Sequence, residues 1–263
     1  MKAIFEAVVR GLALVLVVMG ARGALGQQAP KDLDPINPDR PDFTNGTAIV
    51  PMGKVLLETG YLNTNSRDTR LREFGDHLLL RVPISDRFEW RFDMGGYAIQ
   101  DVAGVRASGL EDFTPGFKWR FRDARGSQPA LALFAGVTLP TGASDIGNPA
   151  PQPSLALYAD RQLTASTSLG VNVVATYTND DAGRFTQYVA SASYGMQLSP
   201  RTNGFLELYS VMPESNGGPN VEVFDAGLGY LLNNDTMVDL HRGVGLNRRR
   251  PNSFWGVGVS FRF

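Results

Sequence analysis

Residues 88–97 read FEWRFDMGGY, and their order sorts by parity. Phe88, Trp90, Phe92 and Met94 fall on one side, and Glu89, Arg91, Asp93 and Gly95 on the other. A helix would scatter both sets around its axis, whereas an extended chain sends alternate side chains to opposite faces. The stretch is therefore a strand with one apolar and one polar face. The apolar face meets either a protein core or lipid.

Three further runs repeat the pattern. In DFTPGFKWRFR (112–122), Phe113, Phe117, Trp119 and Phe121 oppose Asp112, Lys118, Arg120 and Arg122. SLGVNVVATYT (168–178) and TQYVASASYGMQL (186–198) set Val171, Tyr177, Tyr188 and Tyr194 against Asn172, Thr176, Gln187 and Ser193. With weaker segments the chain divides into twelve, near 54–62, 74–83, 88–98, 111–122, 129–139, 153–162, 168–178, 185–198, 204–212, 221–232, 236–246 and 254–263. A tilted strand crosses a bilayer in about 9–11 residues, and an even strand count returns both ends to one side.

Short Ser/Asp/Asn/Gly/Pro turns such as PISDRF, LTASTS and LSPRTN alternate with longer stretches expected as loops, at 63–72, 99–110, 140–152, 179–184, 213–220 and 247–252. Phe88, Trp90, Trp119 and Phe121 flank short turns, while Phe74, Tyr177, Tyr188 and Trp255 adjoin the longer loops, as two interfacial aromatic belts would. A soluble β-sandwich also alternates, but its polar face meets water and carries Lys and Glu. Here that face is Gly, Ser, Thr, Asn and sparse charges of both signs, which suits a crowded polar interior. The expected fold is all-β: a transmembrane antiparallel up-and-down β-barrel of about twelve strands over 54–263. One position resists: strict alternation places Arg242 outward with Val238, Leu240 and Val244, so either a bulge at Gly243 or Gly245 shifts the register or Arg242 reaches an interface.

Composition narrows the function. The 263 residues carry a formal charge of −1, which gives no electrostatic case for nucleic acid. With no cysteine and only two histidines, His77 and His241, in different strands, no metal, cofactor or catalytic site is expected. Residues 1–26 have a signal-peptide pattern: Lys2 and Arg10, the apolar run GLALVLVVMG, and Ala24-Leu25-Gly26 before a cleavage point. Beyond Gly26 no run approaches the roughly 18 apolar residues of a spanning helix. Export and a β-barrel together point to the bacterial outer membrane.

The opening DRPDFTNGTAIVPMGKVLLETGY (39–61), the turn ISDRFEWRF and the closing GVGVSFRF resemble the outer-membrane transporter-like proteins grouped under the meta-pathway of phenol degradation. Asp39, Arg40, Pro41 and Phe43 carry the family's D-R-P-x-F opening; Glu58, Gly60 and Tyr61 stand in its L-E-x-G-Y strand. The resemblance implies a barrel that moves aromatic or other apolar compounds. The closing strand, with Val259, Phe261 and Phe263, resembles the signal read by the barrel-assembly machinery.

Glu58, Arg91, Lys118, Arg120, Glu207 and Asp225 are expected to line the lumen, with mixed signs forming cross-strand ion-pair ladders. The Pro-rich arm at 27–53 is either a periplasmic plug or an unstructured leader. Arg248, Arg249 and Arg250 in the last outer loop are candidates for lipopolysaccharide phosphates. The expected function is a conduit for a small-molecule solute; the alternative is a structural barrel with a filled lumen and loops that bind lipid or protein.

Overall fold

The computed structural model describes residues 33–247 and 253–263; the signal-peptide pattern expected at 1–26 and Arg248 to Arg250 lie outside them. Fourteen strands form one antiparallel sheet: β1 (Leu56–Asn65), β2 (Thr69–Ser85), β3 (Phe88–Asp93), β4 (Tyr97–Val102), β5 (Val105–Leu110), β6 (Thr114–Arg122), β7 (Ala130–Thr138), β8 (Gln152–Thr164), β9 (Thr167–Asp180), β10 (Gly183–Gln197), β11 (Thr202–Met212), β12 (Val221–Asn233), β13 (Thr236–Gly245) and β14 (Ser253–Arg262). The hydrogen-bonded order runs β1-β14-β13-β12-β11-β10-β9-β8-β7-β6-β3-β2, and pairing of β1 with β2 closes it. The wall is thus a closed twelve-stranded barrel. Closure removes the sheet edges that lipid could not solvate.

The β4–β5 hairpin extends this wall. β4 pairs with the outer half of β2, and β5 pairs with β4, so β3 with β4 and β5 with β6 are two long strands, each interrupted once. The interruption falls at Gly95, whose φ of 57° is left-handed and whose absent Cβ would lie 2.8 Å from the Asp112 carbonyl and the Glu111 side chain.

Burial confirms the inverted construction. Glu58, Glu89 and Lys118 are fully buried, while Trp90, Leu157 and Trp255 are about half exposed on the opposite face. In a soluble sandwich these two sets would exchange places. Rings gather at two levels: Phe88 stacks on Trp119 at 5.7 Å beside the short turns, and Tyr61 contacts Phe74 at 5.0 Å and Trp255 at 5.3 Å toward the opposite end. We call these the terminal end, where the barrel begins and finishes, and the loop end.

One expectation changes. The stretches 63–72, 99–110 and 179–184 are mostly strand, folded around tips at 66–68, 103–104 and 181–182. Their Asn, Asp, Gly and Arg residues mark the tips, while the flanking polar residues go on pairing because hairpins can extend beyond the bilayer into water. Long connections among the described residues remain at 139–151 and 213–220. Of the two alternatives for Arg242, the interfacial one holds: it pairs in unbroken register with Trp255 and Ala226, so no bulge intervenes. It points outward near the loop end, where an arginine costs about 0–1 kcal/mol rather than the roughly 2–4 kcal/mol of the midplane.

Leu157 faces outward midway along β8, opposite Leu133 and Val173. Leu157→Lys is expected to destabilise the barrel in vesicles by about 2–4 kcal/mol, read as a lowered urea midpoint. Arg242→Lys should change the unfolding free energy by less than about 1 kcal/mol.

Candidate functional site

A backbone inside a lumen has no sheet ladder to join, yet every buried amide needs an acceptor. Residues 34–55 meet that requirement by threading the barrel and borrowing carboxylates from its wall. Ile36 N donates to Asn234 O (2.9 Å) at a terminal-end turn, where Ile36, Val50, Leu56 and Met237 form an apolar cluster. Asp39 N and Arg40 N donate to Glu58 Oε2 at 2.9 and 3.0 Å. Phe43 N and Thr44 N donate to Glu207 at 2.8 and 2.7 Å, and the Thr44 hydroxyl joins them. Thr47 N then reaches Asp160 (2.8 Å) and Val50 N reaches Glu89 (3.0 Å) before the chain enters β1. Four strands on different sides of the ring each supply a carboxylate to this strap.

Side chains complete the arrangement. Arg40 extends to Asp76 at 2.8 Å and to Asp239 at 3.3 Å. Its guanidinium lies flat on the closing seam, over the register partners Gly60 of β1 and Gly258 of β14. A Cβ on Gly60 would fall 2.6 Å from its Nη2, and one on Gly258 would fall within 2.5 Å of two of its nitrogens. The D-R-P opening and the glycine of L-E-x-G-Y are therefore one contact, written twice in the sequence.

The wall holds two like-charge pairs in register. Arg81 and Arg91 are direct register partners on β2 and β3, and Glu207 and Asp225 are direct partners on β11 and β12; like charges so placed repel. The strap resolves the first pair by inserting Asp39, 2.5 Å from Arg91 and 3.4 Å from Arg81, with Lys118 at 3.8 Å. Glu89 adds contacts to Arg81 (2.9 Å), Arg91 and Lys118 (both 3.2 Å). In the second pair Glu207 takes the strap amides and Asp225 takes His241 Nδ1 at 3.2 Å. The expected cross-strand ladder is present on one flank, running Glu58, Arg81, Glu89 and Lys118 across β1, β2, β3 and β6, and the strap adds Asp39 to it.

Two strap carboxyls are pushed in opposite directions. Burial alone would raise Asp39, but Arg81, Lys118 and Arg91 hold it well below the usual carboxylate range. Burial raises Asp42, with Glu207 adding to the shift and a Ser193 hydrogen bond only partly offsetting it.

The strap divides the interior. Toward the loop end lies a cavity of about 460 Å³, lined by Leu62, Phe134, Tyr158, Val174, Tyr209 and Phe254 above an ionic floor that includes Asp39 and Arg91. Phe43 stacks on Tyr209 with centroids 4.7 Å apart, and Phe134 on Tyr158 at 6.3 Å. Toward the terminal end a second cavity, of about 490 Å³, runs between the strap and small polar positions that include Ser168, Gly170, Ser193 and Gly195. Arg40, Pro41, Asp42 and Asn45 line both cavities, so this part of the strap is the partition.

Among the residues singled out from sequence, Glu58, Arg91, Lys118, Glu207 and Asp225 have buried side chains facing this interior. Arg120 stands apart at the terminal-end turns, with Asp123 at 3.2 Å and the Asp86 carbonyl at 3.1 Å. Asp39, Arg40, Pro41 and Phe43 form the turn of the strap. Val259 and Phe261 pair with Thr59 and Leu57, while Phe263 exchanges hydrogen bonds with Val55. Asp76, Asp160 and the aromatic lining were missed. Asp76 sits between Gly75 (φ 80°) and His77 (φ 47°), where β2 breaks its alternation; the rings lie on strands whose parity gives a side but no height.

Asp39→Asn removes one of the carboxylates shared by the buried Arg81 and Arg91, leaving Glu58 and Glu89, and it should lower the unfolding free energy by about 1–3 kcal/mol, read as a lowered urea midpoint. Asp42→Asn leaves no cation unpaired and should hold or raise that midpoint at alkaline pH.

No curated protein matches the chain. Among solved structures it superposes on an outer membrane channel from Pseudomonas putida F1 with a TM-score of 0.64 at 13% identity, covering 82% of this chain and 98% of that one. The KdgM porin in complex with disordered oligogalacturonate gives 0.52 at 11% identity, covering 79% and 99%, and the NanC porin gives 0.51 at 11%, covering 79% and 98%. At such identities these likenesses establish the barrel fold alone. Sequence goes further: a family model matches residues 38–263, from the strap to the last strand, and the chain belongs to the family described as "Putative MetA-pathway of phenol degradation".

Proposed function

We propose that the protein is an outer-membrane conduit for small aromatic or apolar solutes, narrowed from the terminal side by the strap. The observation that carries this reading is the pair of cavities meeting at Arg40 to Asn45, the loop-end one ringed by aromatic and aliphatic side chains. A volume of about 460 Å³ is within the range of small-molecule sites, and stacked rings over an ionic floor suit a planar solute with a polar edge. Relatives of the same fold described as channels and porins support the conduit class. The competing reading, a filled structural barrel, has the strap's ionic packing in its favour but leaves both cavities without a role.

The strap would set the conductance. The wall strands close on one another through β1 and β2, so removing residues 34–48 opens the lumen to water, which then solvates Glu58 and Glu207. In planar bilayers the refolded barrel should give small single-channel steps, and the shortened chain larger ones. Arg40→Ala, which frees the partition while keeping its length, should fall between them. Silent bilayers for all three proteins would favour the filled barrel. Phe43→Ala and Tyr209→Ala should slow swelling of proteoliposomes in a small hydroxybenzoate more than in a sugar of similar size.

A further inference from the structure

On the outer face at the loop end, four arginines occupy two adjacent register rows. One row runs Arg242, Trp255, Asn63 and Arg72 across β13, β14, β1 and β2. The next runs Ser253, Asn65, Arg70, Asp101 and Arg106 across β14, β1, β2, β4 and β5. Parity settles the facing: Tyr61 touches both Phe74 and Trp255 on the lipid side, and Leu62 and Thr64 line the loop-end cavity, so Asn63 and Asn65 point outward with their row partners. The arginines therefore begin where the aromatic belt ends.

Their charges are largely unspent. Among the described residues Asp101 is the only carboxylate in these rows, and it takes one nitrogen of Arg72 at 2.7 Å. Arg72 Nε is buried with no partner. Arg70 donates Nε to the Asn65 side chain at 3.0 Å, an uncharged acceptor. Arg106 and Arg242 are exposed, and neither makes a hydrogen bond or ion pair among the described residues. Glu222, on the neighbouring outward strand β12, is engaged by Asn247 instead.

We propose that this patch binds the phosphate groups of lipopolysaccharide in the leaflet at the loop end; the proposal rests on the outer-membrane placement given above. The belt of Tyr61, Phe74 and Trp255 fixes the level at which acyl chains give way to headgroups, and phosphates lie immediately beyond it. Guanidinium presents paired N–H donors that match two phosphate oxygens, and several such groups on a rigid wall hold a multiply phosphorylated headgroup better than separate phosphates. A soluble anion would gain nothing from the adjoining rings, which is why the lipid is the occupant the geometry favours. These residues are distinct from Arg248 to Arg250, which lie outside the described residues.

The full chain, refolded in neutral detergent, tests this by heat-modified gel mobility. Rough lipopolysaccharide should raise the midpoint of barrel unfolding by several degrees; its enzymatically dephosphorylated form and inorganic phosphate should not. Combining Arg70→Gln, Arg72→Gln, Arg106→Gln and Arg242→Gln should abolish most of that rise, whereas Arg201→Gln at a terminal-end turn should keep it. An equal rise for the fourfold variant or for the dephosphorylated lipid overturns the proposal, and a rise with inorganic phosphate alone overturns the lipid as its source. If the fourfold variant does not refold, Arg106→Gln with Arg242→Gln decides, since neither side chain has a protein partner to lose; an undiminished rise counts against the patch. Conductance of the same samples reports separately on the conduit, so a silent barrel that still responds to the lipid sinks only that reading.

Discussion

Peptide groups inside a membrane-spanning barrel have nowhere to go but the wall. In this protein the wall answers with carboxylates: Glu58, Glu207, Asp160 and Glu89 accept amides from a strap that has no ladder of its own. Much of the interior follows from that constraint. Two of these carboxylates also hold cations on neighbouring strands, Glu58 taking Arg81 and Glu89 taking Arg81 and Lys118. The cations Arg81, Arg91 and Lys118 gather on one flank around Asp39, while the flank of β8 to β12 carries Asp160, Glu207 and Asp225 among serine, asparagine and glycine.

The same constraint explains why a barrel would tolerate like charges in register. Two arginines facing each other across β2 and β3 are unfavourable in an empty pore, as are two acids across β11 and β12. Each pair is better satisfied with the strap in place, because Asp39 joins Glu89 in bridging the first and strap amides engage the second. The wall is complementary to an occupied lumen. The partition between the cavities is thus held by interactions whose loss would be felt throughout the barrel.

The wall was legible in the sequence because parity is a local property. Glu89 and Arg91 could be assigned inward, and Trp90 outward, from ten residues, since lipid and polar interior impose opposite demands on neighbouring positions. Strand number followed from turn chemistry, although the polar flanks at 99–110 and 179–184 concealed how far the hairpins run. What alternation cannot carry is axial height and partner. That Arg81 stands opposite Arg91, that Asp76 turns inward at a break in β2, and that Arg40 reaches Asp239 nearly two hundred positions away depend on register and strand tilt, which are set jointly by the whole ring. The family motif marked the right residues without saying why they belong together.

The seam between β1 and β14 is the last part of the wall that a growing chain can complete, and the bed for Arg40 consists of one glycine from each side of it. Half of that bed does not exist until the final strand has docked. Full engagement of the strap is therefore a report on closure itself: a chain cut short before Gly258, or one held open during insertion, lacks the shelf on which its own amino-terminal segment comes to rest. Biogenesis and channel geometry meet at a single pair of residues with no side chains.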